Sequence, residues 1–373
     1  MSSHPPLNPA YRRVTDRRGQ ALRVVALGGG SGLSRLLKGL KIFVQLPGER
    51  PKALPAIVEL TAVVTVTDDG GSSGRLRKDF HILPPGDIRN CLVAMSEDEA
   101  LLGRLFQHRF RSGGGLKGHS FGNLFVTAVT GITGDFAEAV KFASTILATR
   151  GNIFPSTLSN VKLEARMHDG TRVQGETRIT ASPKRIAQLR LLPAGARPLP
   201  QTLEAIGRAD LITIGPGSLF TSLVPNLLVR PLARAVAASP ALRVFVCNLM
   251  TQANESLGMT AADHVRALYR HAGAPVFDVA LVNRAPVSRR LRAKYARQGA
   301  EPIVCEEKEM EKLGVRVVSG DFLQEESGVV RHDNAAVARA LLQLGTSVRQ
   351  RDTQPAEAAP ALAAAGSEAR RVH

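Results

Sequence analysis

Tryptophan is absent, and aromatic residues make up only 4% of the 373 residues. So few ring faces are poor material for stacking nucleic-acid bases. No helix-turn-helix, zinc-finger or RNA-binding motif makes up for that lack. Cysteine is nearly absent as well. Cys91, Cys247 and Cys305 are odd in number and far apart, and they match neither zinc-ligand spacing nor a disulfide framework. They read as indifferent thiols in a reducing compartment. No apolar run approaches the ~20 residues that span a bilayer. The N-terminal segment is polar, with Pro5, Pro6 and four arginines before Gln20, and it lacks the apolar core of a secretory leader. A cytoplasmic location without membrane or nucleic-acid partners is therefore expected. Acidic residues are scarce, 32 against 49 basic ones, which leaves a net charge of +17. Much of this surplus lies in the N-terminal arm and in Arg289, Arg290, Arg292 and Lys294. The remainder is available to an anionic small ligand.

What is present is a globular body, 44% hydrophobic and 22% charged. Residues 1–20 read as a disordered basic arm and 346–373 as a disordered Ala/Pro tail. Between them, residues 21–345 are expected to form one α/β nucleotide-binding domain. Its expected architecture is Rossmann-like: a mostly parallel sheet with helices on both faces and a small antiparallel β excursion at about 155–200.

The chain is organised around RVVALGGGSGLSRLLKGL, from Arg23 to Leu40. Val24 to Leu27 suits a strand buried on both faces. Gly29, Gly30, Ser31 and Gly32 follow, then Leu33, Leu36, Leu37 and Leu40 at helical spacing. Strand, glycine turn and helix in this order gather free N–H groups and a helix dipole at one point, which suits phosphate. Neither the P-loop pattern nor GxGxxG is present. The alternative is a turn whose glycines only let the helix pack on the strand.

A second apolar run, Leu60 to Val66, leads into Asp68, Asp69, Gly70, Gly71, Ser72, Ser73, Gly74 and Arg75. Carboxylates at a strand's carboxyl end lie where open α/β sheets bind ligands. Asp68 and Asp69 are candidates for Mg²⁺, for ribose hydroxyls or for a base. As neighbours on an extended loop they should diverge. Ser72, Ser73 and Arg75 suit phosphate or sugar. Asp87 reads either as the N-cap of a helix through Met95 or as a pocket-mouth residue with Arg89 and Asn90. His119 and Asn123 flank a third glycine turn. Gly215, Gly217 and Ser218 form a fourth after the strand Leu211 to Ile214, and Asn248 ends the strand Arg243 to Cys247. The segments Val161–Met167 and Arg172–Ile179 alternate about the turn Asp169-Gly170 and read as a hairpin. Pro302–Cys305 reads as a weak strand.

Taken together, GGGSGLS, TVTDDGGSSGRLR, PPGDIRN, GHSFGN, GPGSLFTSLVPNLL and CNLMTQ resemble the bacterial gluconeogenesis factor family, which is similar to the 2-phospho-L-lactate transferases of deazaflavin coenzyme biosynthesis. The resemblance spans about Arg23 to Leu344. It implies binding of UDP-sugars, notably UDP-N-acetylglucosamine, and a role in growth and cell shape on gluconeogenic carbon sources. By the same resemblance Tyr295 and Arg331 contribute to UDP-sugar binding, and Asp69 matches the residue that meets the acceptor in the transferases. The sequence departs from the pattern at Ser31, where Thr is commoner, and at Phe220, where Tyr is usual. It departs again at Ala253–Ser256, where a proline-glycine turn is expected.

Two functions remain open at this level. One is a non-catalytic UDP-sugar sensor that acts on a protein partner controlling wall-precursor supply, alone or as a homo-oligomer. The other is a Mg²⁺-dependent transferase that uses a nucleotide-activated donor, with Asp68 and Asp69 as its catalytic candidates.

Overall fold

The computed structural model describes residues 21–46, 48, 56–97 and 101–353, with side chains to residue 347. The arm expected at 1–20, and the tail beyond 353, lie outside the described residues. The chain enters with β1 (Ala21–Gly28), β2 (Ala56–Val64) and β3 (Asn152–Pro155). An antiparallel excursion follows: β4 (Lys162–Met167), β5 (Arg172–Gln174) and β6 (Ile186–Leu192). The chain then returns with β7 (Leu211–Ile214), β8 (Leu242–Val246), β9 (Val279–Asn283) and β10 (Arg316–Gly320). A last hairpin, β11 (Leu323–Glu326) and β12 (Val329–His332), precedes the helix Asn334–Thr353.

Seven strands form one parallel sheet in the order β10-β9-β8-β7-β1-β2-β3. The apolar runs VVAL, LITI and VALV are buried throughout, as strands covered on both faces require. The order runs one way from β1 to β3 and the other way from β7 to β10. Right-handed crossovers then place helices on opposite faces and open a crevice at the carboxyl ends of β1 and β7. This is the Rossmann-like α/β arrangement that the sequence implies.

The separate sheet β5-β4-β6 is the antiparallel excursion. It is pinned to the body by His271. The Leu189 N–H donates to His271 Nε2 at 3.0 Å, while His271 Nδ1 lies 2.7 Å from the Ala267 carbonyl.

Several elements differ from their sequence expectation. The alternation through Ile179 stops at Gln174. Gly175 takes φ +91°, and residues Glu176–Ala181 coil into a helix. The loop after β2 is only Thr65 to Gly70, because Gly71–Phe80 is helical and carries Ser72, Ser73 and Arg75. Pro302–Cys305 forms no strand, only an isolated bridge between Pro302 and Met250. The last helix continues to Thr353, past the position where the tail was expected to begin.

A cleft at the strand-order reversal

The crevice between β1 and β7 is a cleft of about 250 Å³. Its floor is the turn after β1. Gly29 is extended there, and a Cβ at Gly29 would stand 2.4 Å from Thr65 Cγ2 and 3.0 Å from Asp87 Oδ2. Gly32 is held closer still, since its Cβ would stand 2.2 Å from the Pro216 carbonyl oxygen. Glycine at 32 is thus required by the approach of the two turns to each other. The helix Gly30–Lys41 starts at this point. The Asp87 carboxylate accepts the Gly30 N–H at 2.7 Å. The first-turn N–H groups of Ser31 and Gly32, which helix geometry leaves without an intrahelical acceptor, belong to residues that line the cleft.

The turn after β7 is filled differently. Gly217 N–H donates to Asn248 Oδ1 at 3.3 Å, and Gln252 Nε2 donates to Ser218 Oγ at 3.1 Å. Glu255 accepts the N–H groups of Phe220 and Thr221 at 2.8 and 3.0 Å. Those two donors are therefore engaged by a buried carboxylate. Burial raises the Glu255 pKa against these same hydrogen bonds. Gly215 shapes the turn with φ +87° and does not line the cleft.

The outer wall comes from the end of the chain. Tyr295, Val330, Arg331 and His332 line it. The Val330 N–H donates to Tyr295 Oη at 3.1 Å, which fastens the β11–β12 hairpin to the helix Arg289–Ala296. His332 Nε2 lies 3.0 Å from the Cys247 carbonyl. Burial pushes His332 down to about 4, so it is neutral at physiological pH. The Arg331 guanidinium has no hydrogen-bond or ion-pair partner among the described residues, while its backbone pairs with Gln324 in the hairpin. Arg35, one turn into the first helix, donates both Nη atoms to Glu326 Oε2 at 3.2 Å.

A second polar group lies at the carboxyl end of β2. Ser72 Oγ is 2.9 Å from His119 Nδ1 and accepts from Asn123 Nδ2 at 3.1 Å. Ser73 is buried against Gly86, whose Cβ would meet Ser73 Oγ at 2.4 Å. Arg89 is buried and donates to Asn90 Oδ1 at 2.6 Å, and its Nε has no partner. Arg75 turns to the Lys117 carbonyl. Asp68 accepts from the Gly70 N–H, while Asp69 accepts from the Thr177 N–H and hydroxyl, so the adjacent carboxylates do diverge. Glu176, which accepts from the Thr67 hydroxyl, is pushed up to about 9 by burial and by nearby Asp68 and Asp87. Asp87 is pushed up to about 6, chiefly by burial. Among the described residues no group of three or more His, Cys, Asp or Glu could hold a metal ion. Asp68 and Asp69 meet different partners, Gly70 and Thr177, and do not converge on one point.

The cleft therefore brings together Gly29 to Gly32, Gly217, Ser218, Asn248, Tyr295 and Arg331. Residues Asp68, Asp69, Ser72, Ser73, Arg75, Asp87, Arg89, Asn90, His119 and Asn123 lie outside its lining, joined to it through the Asp87–Gly30 hydrogen bond. Asp87 is not the N-cap of the helix Gly86–Met95. Pro85 holds that position, and the carboxylate points to Gly30 instead. Sequence reading placed Thr251 and Gln252 with Asn248 at a strand end, and missed Arg35, Glu255 and His332. Arg35 had a signal, since it follows Ser31 and Gly32 by one helical turn. Glu255 had none, because its partners lie in a different turn.

The family of 2-phospho-L-lactate transferase CofD matches residues 24–323, ending at the first residue of the last hairpin. The gluconeogenesis factor of Halalkalibacterium halodurans is 47% identical over 320 residues, 86% of this chain and 95% of that protein. The chain belongs to the gluconeogenesis factor family. The gluconeogenesis factor of Bacillus subtilis is 45% identical over 326 residues, 87% of this chain and 99% of that one. The family's fold has been seen by crystallography. A Bacillus halodurans protein, 47% identical, superposes with a TM-score of 0.81 over 86% of this chain and 99% of its own. Among the described residues no helix is long and apolar enough to cross a membrane.

Proposed function

We propose that this member of the gluconeogenesis factor family binds a UDP-sugar, UDP-N-acetylglucosamine foremost, in the cleft at the β1–β7 reversal. One observation supports this reading most directly. A glycine turn with open first-turn N–H groups faces an unpaired arginine, Arg331, and a tyrosine, Tyr295, across one cleft. Donors and a fixed positive charge suit a diphosphate, and the phenol suits the sugar or the base. Ser218 and Asn248 are left for hydroxyls. In this reading the protein is a cytoplasmic sensor. It reports UDP-sugar supply to a protein partner in wall-precursor control, and so supports growth and cell shape on gluconeogenic carbon sources.

Calorimetric titration with UDP-N-acetylglucosamine, with and without Mg²⁺, tests it, followed by chromatography after overnight incubation. Saturable binding of intact ligand, lost in Arg331→Ala, is the expected result. Absence of binding, or binding indifferent to Arg331→Ala, would remove the assignment.

A second reading is a transferase of the 2-phospho-L-lactate transferase type. The matched family's description favours it, as do the carboxylates Asp68 and Asp69 at the end of β2. Release of UDP or UMP in the same incubation would establish it and turn attention to the acceptor.

A further inference from the structure

A cavity of about 500 Å³ outside the cleft lies between the helix Gly71–Phe80 and the antiparallel excursion. It shares no lining residue with the cleft. Four cations from three elements line it: Arg77 and Lys78 on the helix, Lys162 on β4, and Arg178 on the helix after β5. Arg77 is structural. It is buried, and its guanidinium donates to Asn160 Oδ1 and to the carbonyls of Thr67 and Val161. The other three are different. Among the described residues, Lys78, Lys162 and Arg178 have neither an ion-pair nor a hydrogen-bond partner for their charged ends.

Only one carboxylate, Asp69, lines the same space. Its Oδ1 is taken by the N–H and hydroxyl of Thr177, at 2.8 and 2.7 Å. Its Oδ2 sits beside Gly175, where a Cβ would be 2.4 Å away. Like charges held together across a partly enclosed space repel, and an anion that enters is drawn by all of them. Among the described residues no Phe, Tyr or Trp lines the cavity, and His81 is the single ring on its wall, so it offers little surface for stacking a base. Its volume is that of a small-molecule site.

We propose that this cavity is a second ligand site, for a phosphorylated small molecule that carries free hydroxyls. Lys78, Lys162 and Arg178 take the phosphoryl oxygens, and Asp69 Oδ2 accepts a hydroxyl. The bound molecule bridges the body and the excursion. This goes beyond the UDP-sugar reading and does not depend on it.

Ribose 5-phosphate is the probe, with ribose and inorganic phosphate titrated separately into the full chain. All three target side chains are exposed, so Lys162→Gln/Arg178→Gln leaves the fold intact, checked by an unchanged thermal midpoint. Saturable binding of ribose 5-phosphate is expected, weakened about tenfold or more in the double variant and unchanged in Arg331→Ala. Inorganic phosphate should bind more weakly, and ribose alone not at all. No saturable binding of ribose 5-phosphate would overturn the proposal. Loss in Arg331→Ala with retention in the double variant would also overturn it, and would move the phosphate to the cleft. Binding of arbitrary DNA, lost in the double variant while ribose 5-phosphate fails to compete, would overturn it in favour of a macromolecular surface.

Discussion

The Asp87 carboxylate accepts the Gly30 N–H at 2.7 Å and so locks the first helix to a residue 57 positions away. The same carboxylate is buried beside the turn that floors the cleft. Removing it leaves a buried N–H without an acceptor. We expect Asp87→Ala to lose about 1–3 kcal/mol of stability in urea titration and to weaken UDP-sugar binding. Asp87→Asn keeps an acceptor oxygen and should recover most of both. Equal losses in the two variants would show that the hydrogen bond is not what matters.

Arg35 and Glu326 meet over the cleft mouth through a single carboxylate oxygen. The pair is largely exposed, so its own contribution to stability is small. A diphosphate in the cleft would compete with Glu326 for the guanidinium. Arg35→Gln should therefore weaken UDP-sugar binding about tenfold, while Glu326→Gln should strengthen it a few-fold. A purely structural ion pair would move both variants in the same direction.

Gly32→Ala places a methyl group against the Pro216 carbonyl, so the two turns must separate. We expect a loss of about 1–3 kcal/mol and reduced ligand affinity. Gly131, in the helix Phe121–Thr133, has nothing within 4 Å of an added Cβ. Gly131→Ala should stabilise by about 0.5–1 kcal/mol, with binding unchanged. Parallel thermal and binding curves for the two variants check this contrast.

Glu176 supplies a pH signature. Its pKa rises from an ordinary 4.5 to about 9 on folding, through burial and the nearby Asp68 and Asp87. The folded chain thus holds a proton that the unfolded chain has lost. Stability from this group is fully present below about pH 4.5 and declines as the pH climbs toward 9. Asp87 acts in the same direction between 3.8 and about 6. Urea midpoints between about pH 6.5 and 9 should fall in the wild type, and this fall should vanish in Glu176→Gln. A midpoint that rises with pH over that range would contradict the assigned proton.

β1 and β7 were legible because VVAL and LITI are short apolar runs that lead into glycine, a pattern that needs no partner to be recognised, whereas the edge strand β3, NIFP, carries no such pattern. Gly29 to Gly32, Ser218 and Asn248 could be placed near one another on that basis alone. The hairpin β11–β12 was not legible. Its first strand, LQEE, is mostly exposed, and the hairpin is held by Tyr295, by pairing and by Val330 and Leu323, which pack with Leu249, Met250 and Leu291 from distant elements. Of the two roles open to Asp87, the cap fails for a related reason. A carboxylate before an apolar run resembles a cap, and nothing local reveals that it accepts instead from the N–H of a glycine in another turn. The helix at Glu176 was hidden by alternation that Gly175 ends.

The cleft's walls are drawn from residue 29 at one end and residue 332 at the other. During synthesis the glycine floor leaves the ribosome long before the strand that bears Arg331. Any ligand held between them is held only by a chain whose last hairpin has closed. Occupancy of the cleft would therefore report a chain made at least as far as His332, and a product ending before β12 would not compete for the ligand.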